Sequence, residues 1–86
     1  MIDVSILLEG LEPVFEDYRE ITRILAEQEN RETMLVAWSD KKRNTHSPSC
    51  VRCQVGEVPG WEVYGRNHEG RLRISVNNDE YVFIYT

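Results

Sequence analysis

The sequence predicts a single α+β domain in which one long amphipathic helix packs on an antiparallel sheet of four or five strands. Apolar residues recur at three- and four-residue steps over about residues 12–29, which is the spacing of one helical face. Apolar runs of strand length follow at 33–39, 61–66, 72–76 and 81–85. These elements must share one small core, because the chain is short.

The composition is that of a globular chain, and we assign residues 1–86 to one domain. Hydrophobic residues make up 41% of the chain, which is too many for a disordered protein. A chain of this length buries roughly 60% of its unfolded surface, so a metal ion or a second subunit would add useful stability. The net charge of −5 argues against a general nucleic-acid or anionic-membrane binder.

The sequence shows no export or membrane signal. Its first residues lack a basic segment, and their apolar run is interrupted by Asp3 and Ser5. The longest uninterrupted apolar runs, 34–38 and 81–85, are far shorter than the ~20 residues of a membrane span. Two cysteines three positions apart do not form the disulfide framework of a small secreted domain. We therefore expect a soluble cytoplasmic protein with reduced thiols and no membrane partner.

The N-terminal half predicts a strand, the helix and a second strand. Residues 2–8 alternate between apolar and other side chains, which favours a half-buried strand, with a short helix as the alternative. Gly10 ends this pattern, and Pro13 suits the first helical turn because its missing N–H is not needed there. Asn30 ends the helix before the strand at 33–39. The apolar positions of the helix are Leu11, Val14, Phe15, Tyr18, Ile21, Ile24 and Leu25.

The last third of the chain predicts a three-stranded antiparallel meander, with strands at 61–66, 72–76 and 81–85. Gly70 suits the left-handed position of the first hairpin loop, and the Asn-Asn-Asp run at 77–79 suits a tight, two-residue second turn. One sheet face then carries Tyr64, Leu72, Ile74, Val76, Tyr81, Phe83 and Tyr85. The other face carries Trp61, Val63, Arg73, Ser75, Val82 and Ile84.

Both predicted faces of the sheet are rich in apolar side chains, but one helix can cover only one of them. The second face must be covered by the N-terminal segment, by the long loop at about 40–60 or by a second subunit. Because symmetric homodimers are common among soluble proteins, we predict a homodimer that forms through the uncovered sheet face.

The long irregular loop at 40–60 holds both cysteines of the chain. It contains Cys50-x2-Cys53, with His46 four positions before the pair and His68 fifteen positions after it. Two thiolates at this spacing can bind one Zn²⁺, and two imidazoles could complete a tetrahedral site. The sequence has no second Cys-x2-Cys pair, so this is half of a zinc signature. The alternatives are a four-thiolate site shared by two subunits, or cysteines and solvated histidines that bind no metal.

The same cysteine pair could act as a thiol–disulfide centre. Such centres place the first thiol at the start of a helix that follows a strand, where the helix dipole lowers its pKa. Gly56 and Pro59 follow the pair closely and indicate no helix there, so thiol redox chemistry is the weaker alternative.

The charges divide unevenly along the chain. Residues 1–40 hold ten acids and three bases, whereas residues 41–86 hold five acids and seven bases. The loop is cationic through four side chains, which could contact an anion or a nucleic acid: Lys41, Lys42, Arg43 and Arg52. Seven bases spread over half of the chain do not form a patch, so we favour solvated bases that pair with carboxylates of the helix or of a partner subunit.

No catalytic grouping emerges from the sequence. Neither histidine lies in a nucleophile signature, and there is no glycine-rich phosphate loop or His-Glu-x-x-His motif. We therefore predict a non-enzymatic interaction or assembly domain that forms a homodimer and needs no cofactor. The alternatives are a zinc-binding module that uses Cys50 and Cys53 with His46 or His68, and a thiol-redox protein.

Overall fold

Seven helices and strands lie in the part of the chain that the computed structural model describes, residues 1–49 and 56–86. In chain order they are β1 (Ile2–Ile6), α1 (Phe15–Glu29), β2 (Leu35–Asp40), β3 (Thr45–Ser47), α2 (Gly60–Asn67), β4 (Leu72–Val76) and β5 (Tyr81–Tyr85). The strands form one five-stranded sheet in the order β1-β4-β5-β2-β3. The predicted α+β class and the number of strands are therefore confirmed.

The sheet is mixed rather than antiparallel, which corrects the prediction. β1 pairs in parallel with β4, and Ile2 lies opposite Leu72. The other neighbouring strands pair antiparallel. The long stretch of chain between β1 and β4 includes two helices, which allows the chain to return to the same end of the sheet before β4 begins.

The β4–β5 hairpin sets the two faces of the sheet. Val76 pairs with Tyr81, and the Glu80 N–H donates to the Asn77 carbonyl at 3.3 Å, so residues 77–80 form the predicted tight turn with Asn78 and Asp79 at its centre. Three loop residues take left-handed backbone angles, which Asn and Asp tolerate better than other side chains: Asn77, Asn78 and Asp79. Because the register is the predicted one, the predicted face is correct for Leu72, Ile74, Val76, Tyr81, Phe83 and Tyr85, which lie in one core cluster.

α1 covers that face of the sheet, but it begins at Phe15 and not at residue 12. Pro13 precedes the helix, and Val14 is its N-cap with an extended backbone. The Val14 N–H donates to Oδ2 of Asp17 at 3.1 Å, so a carboxylate in the first turn binds the N-cap amide. The helix ends before Asn30, as predicted.

Aromatic rings and one buried hydrogen bond hold α1 on the sheet. The Phe15 ring centroid lies 4.7 Å from that of Trp38 and 5.3 Å from that of Phe83. Two turns further along, the fully buried Thr22 hydroxyl hydrogen-bonds the Tyr85 hydroxyl at 2.8 Å. These contacts fix both the position and the rotation of α1.

Residues 60–67 form the helix α2 and not the first strand of a meander, so the domain has two helices on its sheet. The apolar pattern here is too short to distinguish a strand from a helix. In the helix, Trp61 and Gly65 are buried four residues apart on one side. Trp61 lies in an apolar cluster on the second sheet face with Ala37, Val82 and Ile84. Because α2 covers this face, the homodimer predicted to form through an uncovered sheet face loses its premise.

A close backbone approach ends α2 and joins it to β4. Glu69 takes the left-handed angle (φ 67°), and the Gly70 N–H donates to the Gly65 carbonyl at 2.9 Å, as in a Schellman helix end. The left-handed residue is therefore Glu69, not Gly70 as the hairpin interpretation required. A Cβ atom at position 70 would meet the Gly65 carbonyl oxygen and would lie 2.8 Å from Cγ2 of Ile84.

The segment predicted as a long loop contains regular structure. Residues 41–44 form a turn, and Thr45–Ser47 pairs with β2 as the edge strand β3. Cys50, Arg52 and Cys53 lie outside the described residues. Within residues 1–49 and 56–86, no helix is long and apolar enough to cross a membrane.

We expect Gly70→Ala to lower the free energy of unfolding by about 2 kcal/mol, because the added methyl group must displace backbone or a core side chain. Asn67→Ala, at an exposed position of α2, should change it by less than about 0.5 kcal/mol. Urea denaturation followed by tryptophan fluorescence measures both values. Equal stability of the two variants would contradict the close packing described for the end of α2.

Candidate functional site

One flank of α1 is apolar and exposed. The sequence placed seven apolar residues on a single helical face, but the face that meets the sheet is narrower than that set. The residues of α1 that become buried are Phe15, Tyr18, Thr22 and Ala26. The apolar side chains left exposed are Val14 at 55%, Ile21 at 39%, Ile24 at 49% and Leu25 at 41%. The excess of apolar positions is the sequence signal from which this flank could have been predicted.

The other flank of α1 is charged and paired within the helix. Arg23 lies between Glu20 and Glu27 and forms an ion pair with each of them. Hydrogen bonds from Arg23 also lower the pKa of Glu20. These pairs are exposed to solvent and contribute little to stability. The charged flank is therefore favourably solvated, whereas the apolar flank exposes hydrophobic side chains to water.

The N-terminal half of α1 shows which way the apolar flank faces. Phe15 contacts Trp38, so this side of the helix lies towards β2. Tyr18 instead accepts a hydrogen bond at 3.4 Å from Nδ2 of Asn77. Asn77 is joined to the end of β1, because its N–H donates to the Ile6 carbonyl at 2.8 Å. The Tyr18 side of α1 therefore lies towards β1.

The C-terminal end of α1 has the same orientation. Glu29 and Ile2, at the start of β1, line the same small cavity. Successive residues of a helix are about 100° apart around its axis. This spacing puts Leu25 and then Ile21 beyond Tyr18, on the side of α1 that faces away from β2. The apolar flank therefore lies on the β1 side of the domain.

Within residues 1–49 and 56–86, β1 is an edge strand with no strand on its outer side. The Ile2 N–H and the Ile6 carbonyl both form 2.8 Å hydrogen bonds with residues that flank β4. In a parallel ladder alternate residues turn their backbone groups to opposite sides, so Asp3 and Ser5 direct theirs away from β4. Open edges of this kind are places where further strands can add.

These two features form one surface, which we call the edge surface. It consists of the open side of β1 (Ile2–Ile6) and the part of the apolar flank nearest to that strand, Ile21 and Leu25. Its strand offers the outward N–H and C=O groups of Asp3 and Ser5, for which the described residues supply no backbone partner, and its helix offers apolar area. Both are means of binding another polypeptide, through backbone hydrogen bonds and through burial of apolar side chains.

Of the residues predicted as metal ligands, the structure describes His46 and His68, and each imidazole contacts a backbone carbonyl close to it in sequence. His46 lies on β3 with its Nδ1 3.2 Å from the Pro48 carbonyl oxygen. His68 follows α2, stacks on the Tyr64 ring and places its Nδ1 2.8 Å from the Tyr64 carbonyl oxygen. Among residues 1–49 and 56–86, no three His, Cys, Asp or Glu side chains could hold a metal ion. Zinc binding and thiol redox chemistry at Cys50 and Cys53 stay predictions.

The cationic side chains predicted to contact an anion lie in the exposed β2–β3 turn, at Lys41, Lys42 and Arg43. The ammonium group of Lys42 is 3.2 Å from a carboxylate oxygen of Glu80, and this carboxylate raises the pKa of Lys42. The pairing carboxylate thus belongs to the neighbouring β4–β5 turn and not to α1.

A half-buried cluster of charges joins α2 to the second face of the sheet. Glu62 is 8% exposed, and its two carboxylate oxygens accept hydrogen bonds from Arg73 at 3.1 Å and from Arg66 at 2.7 Å. Arg73 also reaches Asp79 at 3.4 Å, and Asp79 accepts a hydrogen bond from the Ser75 hydroxyl. Each carboxylate in this cluster has a partner, so the cluster accounts for the docking of α2.

The Asp79 carboxylate makes this docking sensitive to acid. The Ser75 hydroxyl, and after it Arg73, holds the pKa of Asp79 below the value of about 3.9 for a free Asp. The stabilisation is present at neutral pH and is lost as the pH falls through that lowered pKa. We expect Asp79→Asn to cost about 1 kcal/mol at pH 7, allowing for its partial exposure, and clearly less at pH 2.

Urea denaturation at the two pH values measures this effect. Glu57→Gln, which removes an exposed carboxylate, is the matched control and should leave stability unchanged at both. A loss of the same size at pH 7 and pH 2 for Asp79→Asn would contradict the assignment.

Two helices packed on opposite faces of a mixed five-stranded sheet define a small α+β domain. The chain belongs to the family described as a domain of unknown function (DUF5619), whose model matches residues 1–85. It is similar to the crystal structure of protein AF1514 from Archeoglobus fulgidus DSM 4304, with 28% sequence identity and a TM-score of 0.81. That similarity covers 100% of this chain and 93% of the other. No curated protein matches the sequence.

Proposed function

We propose that this chain is a non-enzymatic assembly domain that associates with a second copy of itself through the edge surface. The observation that carries the proposal is the position of the open backbone of β1 and the apolar flank of α1 on the same side of the domain. We infer a homodimer that forms at a sheet edge and not at the sheet face predicted from the sequence. We expect the association to occur in the cytoplasm.

The apolar flank supplies part of the free energy of association. Full burial of a Leu or Ile side chain stabilises by about 1.5–3 kcal/mol. Ile21 and Leu25 are about two-fifths exposed, so burying the remainder contributes about 1 kcal/mol for each. Association itself costs about 4–15 kcal/mol in lost translational and rotational freedom. The flank therefore needs the backbone hydrogen bonds of β1 as a second contribution.

A second copy is the partner that matches both features. In a two-fold contact the same patch of each subunit faces itself, so an open edge meets an open edge and an apolar flank meets an apolar flank.

The buried polar groups support a non-enzymatic role, because Thr22 pairs with Tyr85 and Glu62 pairs with Arg73 within the fold. These two pairs stabilise the packing of the helices on the sheet, which is a structural role.

We expect the wild-type chain to form dimers at micromolar to hundred-micromolar concentration, and the double variant Ile21→Glu, Leu25→Glu to weaken this association at least about 100-fold. Two carboxylates on the flank would have to be desolvated in the dimer, whereas in the monomer they stay in water. Sedimentation velocity over a concentration series and native mass spectrometry measure the dissociation constant.

Met34→Glu is the matched control, because Met34 is 67% exposed and lies before β2, away from the edge surface. It should leave the dimer unchanged. A wild-type chain that remains monomeric at several hundred micromolar would overturn the proposal, as would a dimer that Met34→Glu weakens as strongly as the double variant does.

A further inference from the structure

The pattern of apolar and polar side chains in β1 is the same in both directions along the strand. Ile2-Asp3-Val4-Ser5-Ile6 alternates apolar and polar residues symmetrically about Val4, and the flanking Met1 and Leu7 are both apolar. Such symmetry suits a two-fold contact, because residue i of one subunit meets residue j of the other while j meets i. A strand that binds an unrelated partner has no need of it.

We infer that β1 of one copy pairs antiparallel with β1 of a second copy, with Val4 on the two-fold axis. The inference rests on the proposed self-association and specifies its geometry. The two five-stranded sheets would join into one continuous sheet of ten strands. Each open edge of β1 would then be paired, which removes the exposed edge from both copies.

The direction of the backbone groups restricts the register of this pairing. Asp3 and Ser5 direct their N–H and C=O groups away from β4, so these residues must form the hydrogen-bonded pairs. With Val4 on the axis, Asp3 of each copy faces Ser5 of the other. Each such pair exchanges two hydrogen bonds, and a carboxylate faces a hydroxyl.

The neighbouring registers are less favourable. Centring the contact on Asp3 would place two carboxylates directly opposite each other, which destabilises a strand pair. Centring it on Ser5 would place Asp3 opposite Leu7, a charge against an apolar side chain. A shift by one residue would pair outward-directed backbone groups with groups already bonded to β4.

The apolar side chains of the strand fit the same register. Val4 and Ile6 pack against the core cluster beneath α1, so they mark the α1 side of the strand. In the paired strands Ile2 of one copy faces Ile6 of the other, and Val4 faces Val4. Pairing two five-residue strands buries much less surface than the ~1,200 Å² that a specific interface buries in total. Ile21 and Leu25 must therefore contribute further buried area beside the paired strands.

Disulfide cross-linking of single-cysteine variants tests this register. The background is the full chain with Cys50→Ser and Cys53→Ser, which removes the native thiols. Two non-hydrogen-bonded residues opposite each other have Cα atoms about 4.5 Å apart, within disulfide range, so Val4→Cys should form a covalent dimer on mild oxidation. Asp3→Cys is the matched control, because its two copies would lie about 8–9 Å apart, beyond that range.

We expect Val4→Cys to cross-link in more than half of the protein and Asp3→Cys alone to cross-link at least tenfold less. An equimolar mixture of Asp3→Cys with Ser5→Cys should restore cross-linking, because these positions face each other. Equal yields for Val4→Cys and Asp3→Cys would overturn the register. If sedimentation shows a dimer but Val4→Cys does not cross-link, the β1 pairing is wrong while self-association stands; a monomer overturns both.

A proline variant tests the pairing without altering the native cysteines. The Ser5 N–H points to the open edge, so Ser5→Pro should keep the thermal midpoint of the monomer but weaken dimerisation at least tenfold. Val4→Pro removes an N–H that bonds to β4 and should destabilise the fold itself. A Ser5→Pro variant that folds and dimerises like the wild type would overturn the β1 pairing.

Discussion

The fold depends on covering β5 on both faces. All five residues of this central strand are buried, and alternate side chains of a strand point to opposite sides. A strand of this kind requires an apolar layer above and below the sheet. α1 provides one layer and α2 the other, and a polar contact fixes each helix: Thr22 with Tyr85, and Glu62 with Arg73. Burial of β5 thus determines where both helices lie.

The same arrangement determines what remains exposed. The helices lie over the middle of the sheet, so its two edges receive less cover. β3 is an edge of three residues, and short edges attract few partners. β1 is longer, and the part of α1 nearest to it carries Ile21 and Leu25 instead of the charged pairs of the opposite flank. A protein that used this side only for contact with water would favour charged residues there.

Local patterns in the sequence predict the elements whose structure is locally determined. Helical spacing identifies α1, and the Asn-Asn-Asp run with its flanking alternation identifies the β4–β5 hairpin and its faces. The sequence predicts a strand where α2 forms, because eight residues fit both periods, and the contact of Trp61 with the second sheet face selects the helix. The parallel pairing of β1 with β4, and hence the open edge, depends on contacts between residues far apart in sequence. Local sequence patterns do not show such contacts. The sequence shows that α1 has more apolar residues than one sheet face can bury, but it does not show that the excess residues face β1.

Residue-resolved amide hydrogen exchange on the wild-type chain, measured by NMR at low and high protein concentration, is the most direct test of the role of β1 as the open edge that assembly closes. Amides of β5 should exchange slowly at both concentrations, because this strand is paired and buried in the monomer. The Asp3 and Ser5 amides should exchange quickly when the chain is dilute and become protected as it associates. The Val4 amide, which bonds to β4, should be protected in both states. Fast exchange at Asp3 and Ser5 at every concentration would contradict the assembly of this protein through β1.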